Sequence, residues 1–348
     1  MKYISLFSGI GAFEYAIHSL FPDAECLAYS EIDPYAIRIY SSHFPTHKNL
    51  GDVTKITEKT IRALGPCDLV VGGFPCVNLS SMANLAGDNK GLKGAKSKLF
   101  YDLVRVIRYV MKRNPNVRFI IENNNSMRIS DKASITETLK KYFSPVYDQM
   151  IDNSVFALQR RKRILWSNFK IPAPCSADRQ TWTDVLEPMS QCLDCILPDK
   201  SIQSMNKLFS LKTAKGETIV AVKTRKARGA ERQYNTYKFK TVKVSDQKSR
   251  WQSYALYSDT LQPYCRTILA SPGSVNNILV DRRVGHANSD ILTSDEFIVR
   301  RFTLRELERL FGFPDGWTSS VSDLRRRKAL GNSIPIFIVG HSLTSLVS

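Results

Sequence analysis

The segment from Asp68 to Ser80 reads D-L-V-V-G-G-F-P-C-V-N-L-S, and its first half predicts a β-strand. Leu69 to Val71 form a short apolar run, typical of a strand buried on both faces, and the Gly72-Gly73 pair predicts its end. Cys76 follows at the carboxyl end of that strand, where open α/β sheets bind ligands. A lone cysteine is more often a small buried hydrophobe than a nucleophile, so this segment alone leaves both interpretations open.

The composition of the chain indicates a globular protein with a polyanionic partner. Its 348 residues are enough for a large core and predict two domains. The hydrophobic fraction of 43% and the charged fraction of 24% are ordinary for a soluble protein. The formal net charge of +18 is not ordinary, and it favours nucleic acid as the partner, although an anionic membrane surface would also suit it.

The sequence gives no sign of a membrane span or a targeting segment. Met1 leads almost directly into a predicted strand, which leaves no room for a signal or transit peptide. Seven cysteines without a framework spacing indicate free thiols in a reducing compartment, the cytoplasm or the nucleus. Cys192 and Cys195 form a single C-x-x-C with no histidine at finger spacing, so we expect no metal site.

The first 170 residues alternate between predicted strands and helices. This alternation predicts an α/β fold with a doubly wound, mostly parallel sheet. Arg105 and Arg108 fall on the face of one helix that we expect to be solvated. The predicted strands are Tyr3–Phe7, Cys26–Ser30, Leu69–Val71, Arg118–Ile121 and Ile164–Trp166, and the helices between them include Ala12–Leu20 and Leu99–Met111.

The turn after the first strand reads S-G-I-G and is suited to a nucleotide-like ligand. Gly9 and Gly11 allow close approach of the backbone, but Glu14 stands where the dinucleotide fingerprint has its third glycine. The pattern therefore favours a nucleoside-containing cofactor other than NAD. Glu31, just past the second strand, could bind ribose hydroxyls, remain solvated or cap a helix. Asp52 could cap a helix or accept a hydrogen bond from an adenine amine.

A second strand brings an acid to the sheet edge that carries Cys76. It ends in E-N-N, so Glu122 lies near the candidate thiol, and a thiolate that attacks an electron-poor ring needs an acid to protonate that ring. Asn123 needs hydrogen-bond partners if it is buried. The polar loop of residues 78–98 is long enough to close over a substrate. The run Q-R-R-K-R at residues 159–163 would, alone, be an ordinary basic sheet edge.

Together these motifs resemble those of the C5-cytosine-specific DNA methyltransferases, which use S-adenosylmethionine. The resemblance covers residues 1–170 and 297–348. It implies a Rossmann-like methyltransferase fold with an inserted, smaller and largely β target-recognition domain. The matching motifs are F-S-G-I-G at 7–11, P-C at 75–76, E-N at 122–123, Q-x-R-x-R at 159–163, R-x-x-x-R-E-L at 301–307, F-P-D at 313–315 and G-N-S-I-P at 331–335.

The resemblance also implies the role of each residue. Cys76 would attack C6 of a cytosine flipped out of double-stranded DNA, and Glu122 would hold N3 and the exocyclic amine. Arg163 would hold O2, and Arg161 would support the loop. The implied S-adenosylmethionine site consists of Phe7, Ser8, Gly9, Gly11, Glu31, Ile32, Asp52, Val53, Pro75, Leu99, Asn332 and Ser333.

Three segments are expected: a catalytic domain at 1–170, a target-recognition domain at 171–296 and a return segment at 297–348. Residues 200–250 contain 14 Lys and Arg against 3 Asp and Glu, a local charge of +11. By itself this segment would be a solvated basic face on a small β unit, and Thr236 to Val244 alternate like a strand. The family's recognition domain reads the major groove. The DNA-contact candidates are Ser80, Lys223, Arg225, Lys226 and Arg228.

We expect the return segment to complete the catalytic domain. Thr303 to Phe311 is helical in pattern, and Ile334 to Leu346 predicts a final apolar helix that packs against the first unit. The interpretation is a C5-cytosine methyltransferase that acts on DNA as a monomer. Two alternatives stay open: an enzyme of the same chemistry that acts on transfer RNA, and a catalytically impaired DNA-binding homologue.

Overall fold

The computed structural model describes residues 1–75, 98–175, 179–196, 209–214, 217–222, 255–257, 265, 267–270, 277–281 and 298–347. Six strands form the main sheet, and five more form two small sheets. The main strands are β1 (Lys2–Leu6), β2 (Glu25–Ser30), β3 (Leu69–Gly73), β4 (Arg118–Asn124), β5 (Tyr147–Asp152) and β6 (Lys162–Ser167). The others are β7 (Phe209–Ala214), β8 (Glu217–Val222), β9 (Ala255–Tyr257), β10 (Asn277–Asp281) and β11 (Ile298–Arg301).

The helices cover both faces of the main sheet. Those before residue 175 are α1 (Ala12–Leu20), α2 (Pro34–His43), α3 (Glu58–Leu64), α4 (Leu99–Met111) and α5 (Ile129–Tyr142). Those after it are α6 (Trp182–Val185), α7 (Leu304–Phe311), α8 (Asp323–Asn332) and α9 (Ile336–Leu343). Short 3-10 turns lie at Val53–Lys55, Asn153–Val155, Met189–Gln191, Leu193–Cys195 and Thr344–Leu346.

The order of the main sheet is β2-β1-β3-β4-β6-β5, which confirms the predicted class. β1 pairs in parallel with β2 and β3, and β3 pairs in parallel with β4, whereas β6 runs antiparallel to both of its neighbours. β2 lies beside one edge of β1 and β3 lies beside its other edge, so the direction of strand addition reverses at β1. The carboxyl ends of β1 and β3 therefore flank the crevice where such sheets bind ligands.

Alternate residues of the central strands belong to two different cores. Tyr3 and Val71 pack with α1, α7 and α9 on one face, whereas Ile4 and Val70 pack with α3, α4 and α5 on the other. Because these strands are buried on both sides, their sequences are almost continuously apolar. The period-2 alternation of a half-exposed sheet is therefore absent from β1 and β3.

Four of the five predicted strands are longer than the sequence predicted, β3 and β4 among them. The Gly72-Gly73 pair forms the last two residues of β3 instead of lying beyond its end, since these residues pair with Ile121 and Glu122 of β4. Likewise β4 extends through Asn124, so Glu122 and Asn123 lie within the strand and not after it. The predicted strand ends were wrong because ladder hydrogen bonds from neighbouring strands outweigh the low strand propensity of glycine and asparagine.

The return segment packs on the first unit, as predicted. α7 is capped by Thr303, and α9 packs against α1, although α9 is shorter than expected because its last residues form a 3-10 turn. Arg300 and Glu306, both fully buried, form a bidentate ion pair at 2.7 and 2.8 Å. Glu187, inside the predicted recognition domain, contacts this pair because its backbone N–H donates to Glu306. The predicted strand at residues 236–244 lies outside the described residues.

The described residues contain neither a candidate membrane span nor a candidate metal cluster. None of the helices in the described ranges is long and apolar enough to cross a membrane. Within the same ranges, no three His, Cys, Asp or Glu side chains come together as a metal site would need. Cys192 is buried, and its thiol donates to the Pro188 carbonyl at 3.4 Å.

Candidate active site

A cavity of about 300 Å³ opens where the carboxyl ends of β1 to β4 meet α2 and α8. This volume lies at the lower end of the range of small-molecule sites. Most residues that the sequence assigned to the cofactor line it, and Glu122 and Arg163 line it as well. The predicted residues in its wall are Phe7, Gly9, Glu31, Ile32, Asp52, Val53, Pro75, Leu99, Asn332 and Ser333.

The turn after β1 presents its backbone to this cavity. Phe7 adopts a φ of 55°, rare for a residue with a side chain, and Gly9 follows with a φ of 57°. A Cβ atom built on Gly9 would have no neighbour within 4 Å, so the missing side chain leaves the backbone open to a ligand. Strained backbone of this kind persists where the surroundings fix it, often at ligand sites.

Glu31 holds the same turn in place. Its Oε2 accepts from the Gly9 N–H at 2.9 Å, and its Oε1 accepts from the N–H groups of Ile32 and Asp33 at 2.7 and 2.9 Å. Glu31 is therefore neither a free surface acid nor the cap of α2, which is Asp33. Oε1 already accepts two hydrogen bonds, whereas Oε2 accepts one and has a second lone pair that can accept from a ligand hydroxyl.

Asp52 lines the cavity and caps a turn. Its Oδ1 accepts from the N–H and the hydroxyl of Thr54 at 2.9 and 2.8 Å, which lowers the pKa of the carboxyl. The capped element is the 3-10 turn Val53–Lys55, whereas α3 is capped by Thr57. Asp52 therefore caps this turn and not the helix that was expected, and it lies in the cavity wall.

Ser8 and Gly11 belong to the same turn after β1 and were also assigned to the cofactor. The Ser8 hydroxyl is buried and donates to the Ser5 carbonyl at 3.2 Å. Gly11 precedes α1 with a φ of 88°, and a Cβ there would lie 2.8 Å from the Phe44 ring. Both residues shape the turn without lining the cavity.

Glu122 and Arg163 form an ion pair at the inner part of the cavity. Arg163 Nε donates to Glu122 Oε1 at 2.7 Å, and both side chains are largely buried. In the β4–β6 register Glu122 lies opposite Leu165, so Arg163 is its diagonal neighbour on the same face. Burial raises the pKa of the Glu122 carboxyl, and the nearby charges of Arg163 and Arg161 partly offset this increase. The pKa of the Glu122 carboxyl therefore lies above its ordinary value, and Arg163 fixes the position of the side chain.

Gly73 makes room for the acid. It pairs with Glu122 across β3 and β4, and a Cβ atom at Gly73 would lie 2.5 Å from Glu122 Oε2. A side chain at this position would push the carboxylate out of its place. The second glycine of the pair is thus required by the site and not by a turn.

Asn123 is almost fully buried, at 1% exposure, and it has the partners that a buried amide needs. Its Nδ2 donates to the Phe74 carbonyl at 3.0 Å, and its Oδ1 accepts from the Asn124 N–H at 2.8 Å. The amide therefore ties β4 to the residue that precedes Pro75. It supports the site instead of disturbing it.

Arg161 lies behind the cavity and joins distant parts of the chain. Its guanidinium donates to the carbonyls of Ile268, Gly331 and Ser333 at 2.7 to 2.8 Å and lies 5.0 Å from the centroid of the Phe311 ring. These contacts fix the carboxyl end of α8, where Asn332 lies, and Ser333 after it. That Arg161 supports a catalytic loop stays a prediction of the family resemblance.

Sequence reasoning missed several residues of the site. Arg105 was expected on a solvated face, but its guanidinium donates to the carbonyls of Val53 and Ile56. These hydrogen bonds hold the turn that follows Asp52 in the cavity wall. Because these partners lie about 50 positions away in the sequence, no local pattern around Arg105 predicts the contact. The additional residues that line the cavity include Asp33, Tyr35, Gly51, Asn124, Arg325, Lys328 and Ala329.

Several predicted residues lie outside the described part of the chain. They are the candidate nucleophile and all the candidate DNA contacts: Cys76, Ser80, Lys223, Arg225, Lys226 and Arg228.

The chain has a Rossmann-like α/β fold, and one cavity at its sheet edge holds both the acid–arginine pair and the glycine turn after β1. The family model of the C-5 cytosine-specific DNA methylases matches residues 1–347, and the chain belongs to this family.

Curated relatives and solved structures agree with this assignment. The chain is 26% identical to the type II methyltransferase M.HhaI of Haemophilus parahaemolyticus, over 97% of the chain and 92% of the relative. It is also 26% identical to M1.ScrFI of Lactococcus lactis, over 96% and 75%. The Dnmt2 methyltransferase of S. pombe matches with a TM-score of 0.65 and 18% identity, over 100% and 98% of the two chains, which shows a shared fold.

Proposed function

We propose that this protein transfers a methyl group from S-adenosylmethionine to C5 of a cytosine flipped out of double-stranded DNA. The observation that carries the proposal is the shared cavity, in which the Gly9–Glu31 turn and the Glu122–Arg163 pair lie together. A nucleoside site next to a proton-donating acid is the combination that methylation of a pyrimidine ring requires. The relatives named type II methyltransferases support the choice of DNA.

The donor groups of the cavity fit S-adenosylmethionine. Glu31 would accept from ribose hydroxyls, Asp52 from the adenine amine, and Asn332 and Ser333 would meet the amino-acid end. The open backbone at Gly9 allows close approach of the nucleoside. When bound, the cofactor supplies a methyl group on a positively charged sulfur.

The residues of this chain would make the cytosine ring reactive. The Cys76 thiolate forms a bond to C6, and Glu122 donates a proton to N3 so that the ring does not accumulate charge. The electron pair then available at C5 takes the methyl group. Loss of the C5 proton to solvent and expulsion of the thiolate restore the C5–C6 double bond, and N3 returns its proton to Glu122, which regenerates the enzyme. Arg163 holds Glu122 in place and would reach O2 of the base.

Access to the base requires flipping, which costs a few kcal/mol. We propose that residues 171–296 supply the binding energy and the sequence discrimination, because the +11 charge of residues 200–250 suits contacts with phosphates. The long loop of residues 78–98, which follows the nucleophile, would fill the space that the flipped base leaves.

The test is transfer of labelled methyl groups to matched substrates. Purified protein is incubated with labelled S-adenosylmethionine and either duplex DNA or transfer RNA, and DNA from expressing cells is sequenced for 5-methylcytosine. We expect label in duplex DNA at a defined motif. Label in transfer RNA alone would contradict the choice of DNA, and label in neither substrate would contradict the proposed reaction.

A further inference from the structure

One face of α8 forms part of the cavity wall. Arg325, Lys328, Ala329 and Asn332 all line the cavity, and their spacing of three, four and seven positions places them on one side of a helix. The family resemblance assigns Asn332 to the cofactor but gives no role to Arg325. Arg325, Lys328 and Ala329 therefore line the cavity without an assigned role.

Two contacts join this face to the beginning of α2. The guanidinium carbon of Arg325 lies 4.0 Å from the centroid of the Tyr35 ring, and Lys328 Nζ lies 3.8 Å from Asp33 Oδ2. Tyr35 and Asp33 line the cavity too. Tyr35 is 39% exposed and its neighbour Ile32 66%, so these contacts lie at the mouth of the cavity and not in its depth.

The arginine contact is the more important of the two. The Lys328–Asp33 pair is long and well exposed, and surface pairs of this kind contribute little. A guanidinium 4.0 Å above an aromatic ring is held by cation–π attraction and by stacking, which a lysine would reproduce poorly. Asp33 also has a separate task, since its Oδ1 accepts from the N–H groups of Tyr35 and Ala36.

The position of the contact identifies the part of the ligand that it covers. Tyr35 and Ile32 adjoin Glu31 after β2, the residue suited to ribose, whereas Glu122 lies on β4, which β1 and β3 separate from β2. We propose that Arg325 and Tyr35 form a latch over the adenosine end of the cofactor, and that Arg325 sets how long cofactor and product stay bound. This proposal rests on the proposed function.

The latch acts on binding and not on the methyl-transfer step. The contact holds Tyr35 over the bound adenosine, so it slows the release of cofactor and product and strengthens their binding. Arg325 is a positioning residue, because it holds Tyr35 and touches none of the reacting atoms. Its loss should weaken adenosine-containing ligands about two- to fivefold, the strength of a partly exposed cation–π contact.

The experiment compares Arg325→Ala and Arg325→Lys with the matched control Leu324→Ala. Leu324 is the preceding residue of α8, is 63% exposed and is not among the residues that line the cavity. Dissociation constants are measured by calorimetry for S-adenosylhomocysteine and for 5′-methylthioadenosine, which lacks the amino-acid end. The dissociation rate of S-adenosylhomocysteine is measured by stopped flow, and thermal unfolding confirms that each variant is folded.

For Arg325→Ala we expect the same two- to fivefold loss with both ligands and a matching increase in the dissociation rate. Arg325→Lys should lose nearly as much, and Leu324→Ala should match wild type in both dissociation constants and in single-turnover transfer. Unchanged dissociation constants would overturn the latch, and so would a loss confined to S-adenosylhomocysteine, which would place Arg325 at the amino-acid end. If the wild type binds neither ligand, the proposed function itself fails.

Discussion

Replacing Glu122 by Gln removes a proton donor while keeping the outline of the side chain. In the structure Glu122 Oε1 accepts from Arg163 Nε at 2.7 Å, and burial holds the pKa of the carboxyl above its ordinary value. A Gln oxygen can accept the same hydrogen bond, but the amide cannot protonate N3. Proton donation in the transition state is worth about 10² to 10⁴ in rate, so we expect a loss of that size.

The assay is single-turnover methyl transfer with enzyme in excess, followed by rapid quench from pH 6 to 9. Because the protonated acid is the active form, the wild-type rate should fall as the pH rises through the raised pKa of Glu122, and the Glu122→Gln rate should lack this decline. Cofactor and DNA affinities should stay close to wild type. A loss below threefold, or an unchanged pH profile in the variant, would show that the acid lies elsewhere.

Three further predictions test other parts of the account. Gly73→Ala should displace Glu122 Oε2 and lower the single-turnover rate at least tenfold in a folded protein, whereas the control Gly340→Ala, whose Cβ would meet nothing within 4 Å, should keep the wild-type rate. A normal rate in Gly73→Ala would refute the close approach. Burial raises the pKa of Glu14 to about 7, so its stabilising effect should be full below its unfolded value of 4.5 and be lost as the pH rises through 7. Urea unfolding should therefore show the stability of wild type relative to Glu14→Gln falling by about 3 kcal/mol between pH 4 and 8, and parallel pH curves would contradict it. Single Gln substitutions of Lys223, Arg225, Lys226 and Arg228 should weaken all duplexes and reduce the salt slope by about one unit for each phosphate contact. If transfer RNA binding falls and duplex binding does not, DNA is the wrong substrate.

The sequence predicted the parts of the site whose signals are local. The turn at Gly9 and the acid at Glu31 each follow a recognisable strand, and Glu122 lies near the end of another. The parallel order of those strands brings the three to one edge. Most of the predicted cofactor residues accordingly line one cavity.

The remaining features depend on contacts between distant parts of the chain. Arg161 binds carbonyls 107 to 172 positions away, and Arg105 binds a turn about 50 positions before it. Neither pairing leaves a periodic signal, and both residues resemble ordinary surface arginines in the sequence. Gly73 was interpreted wrongly for the same reason. A glycine pair predicts a turn locally, whereas the site requires Gly73 because a side chain there would displace Glu122 on the next strand.

The central claim is that Cys76 forms a covalent bond with C6 of a cytosine in duplex DNA. The most direct test uses a duplex in which 5-fluorocytosine replaces the target cytosine, because fluorine at C5 cannot leave as a proton does. With S-adenosylmethionine present, the wild type should form a denaturation-resistant adduct that peptide mapping places on Cys76, and Cys76→Ala should bind the duplex without forming it. If the wild type forms no adduct while it methylates the parent duplex, or if Cys76→Ala still forms one, the proposed mechanism is wrong.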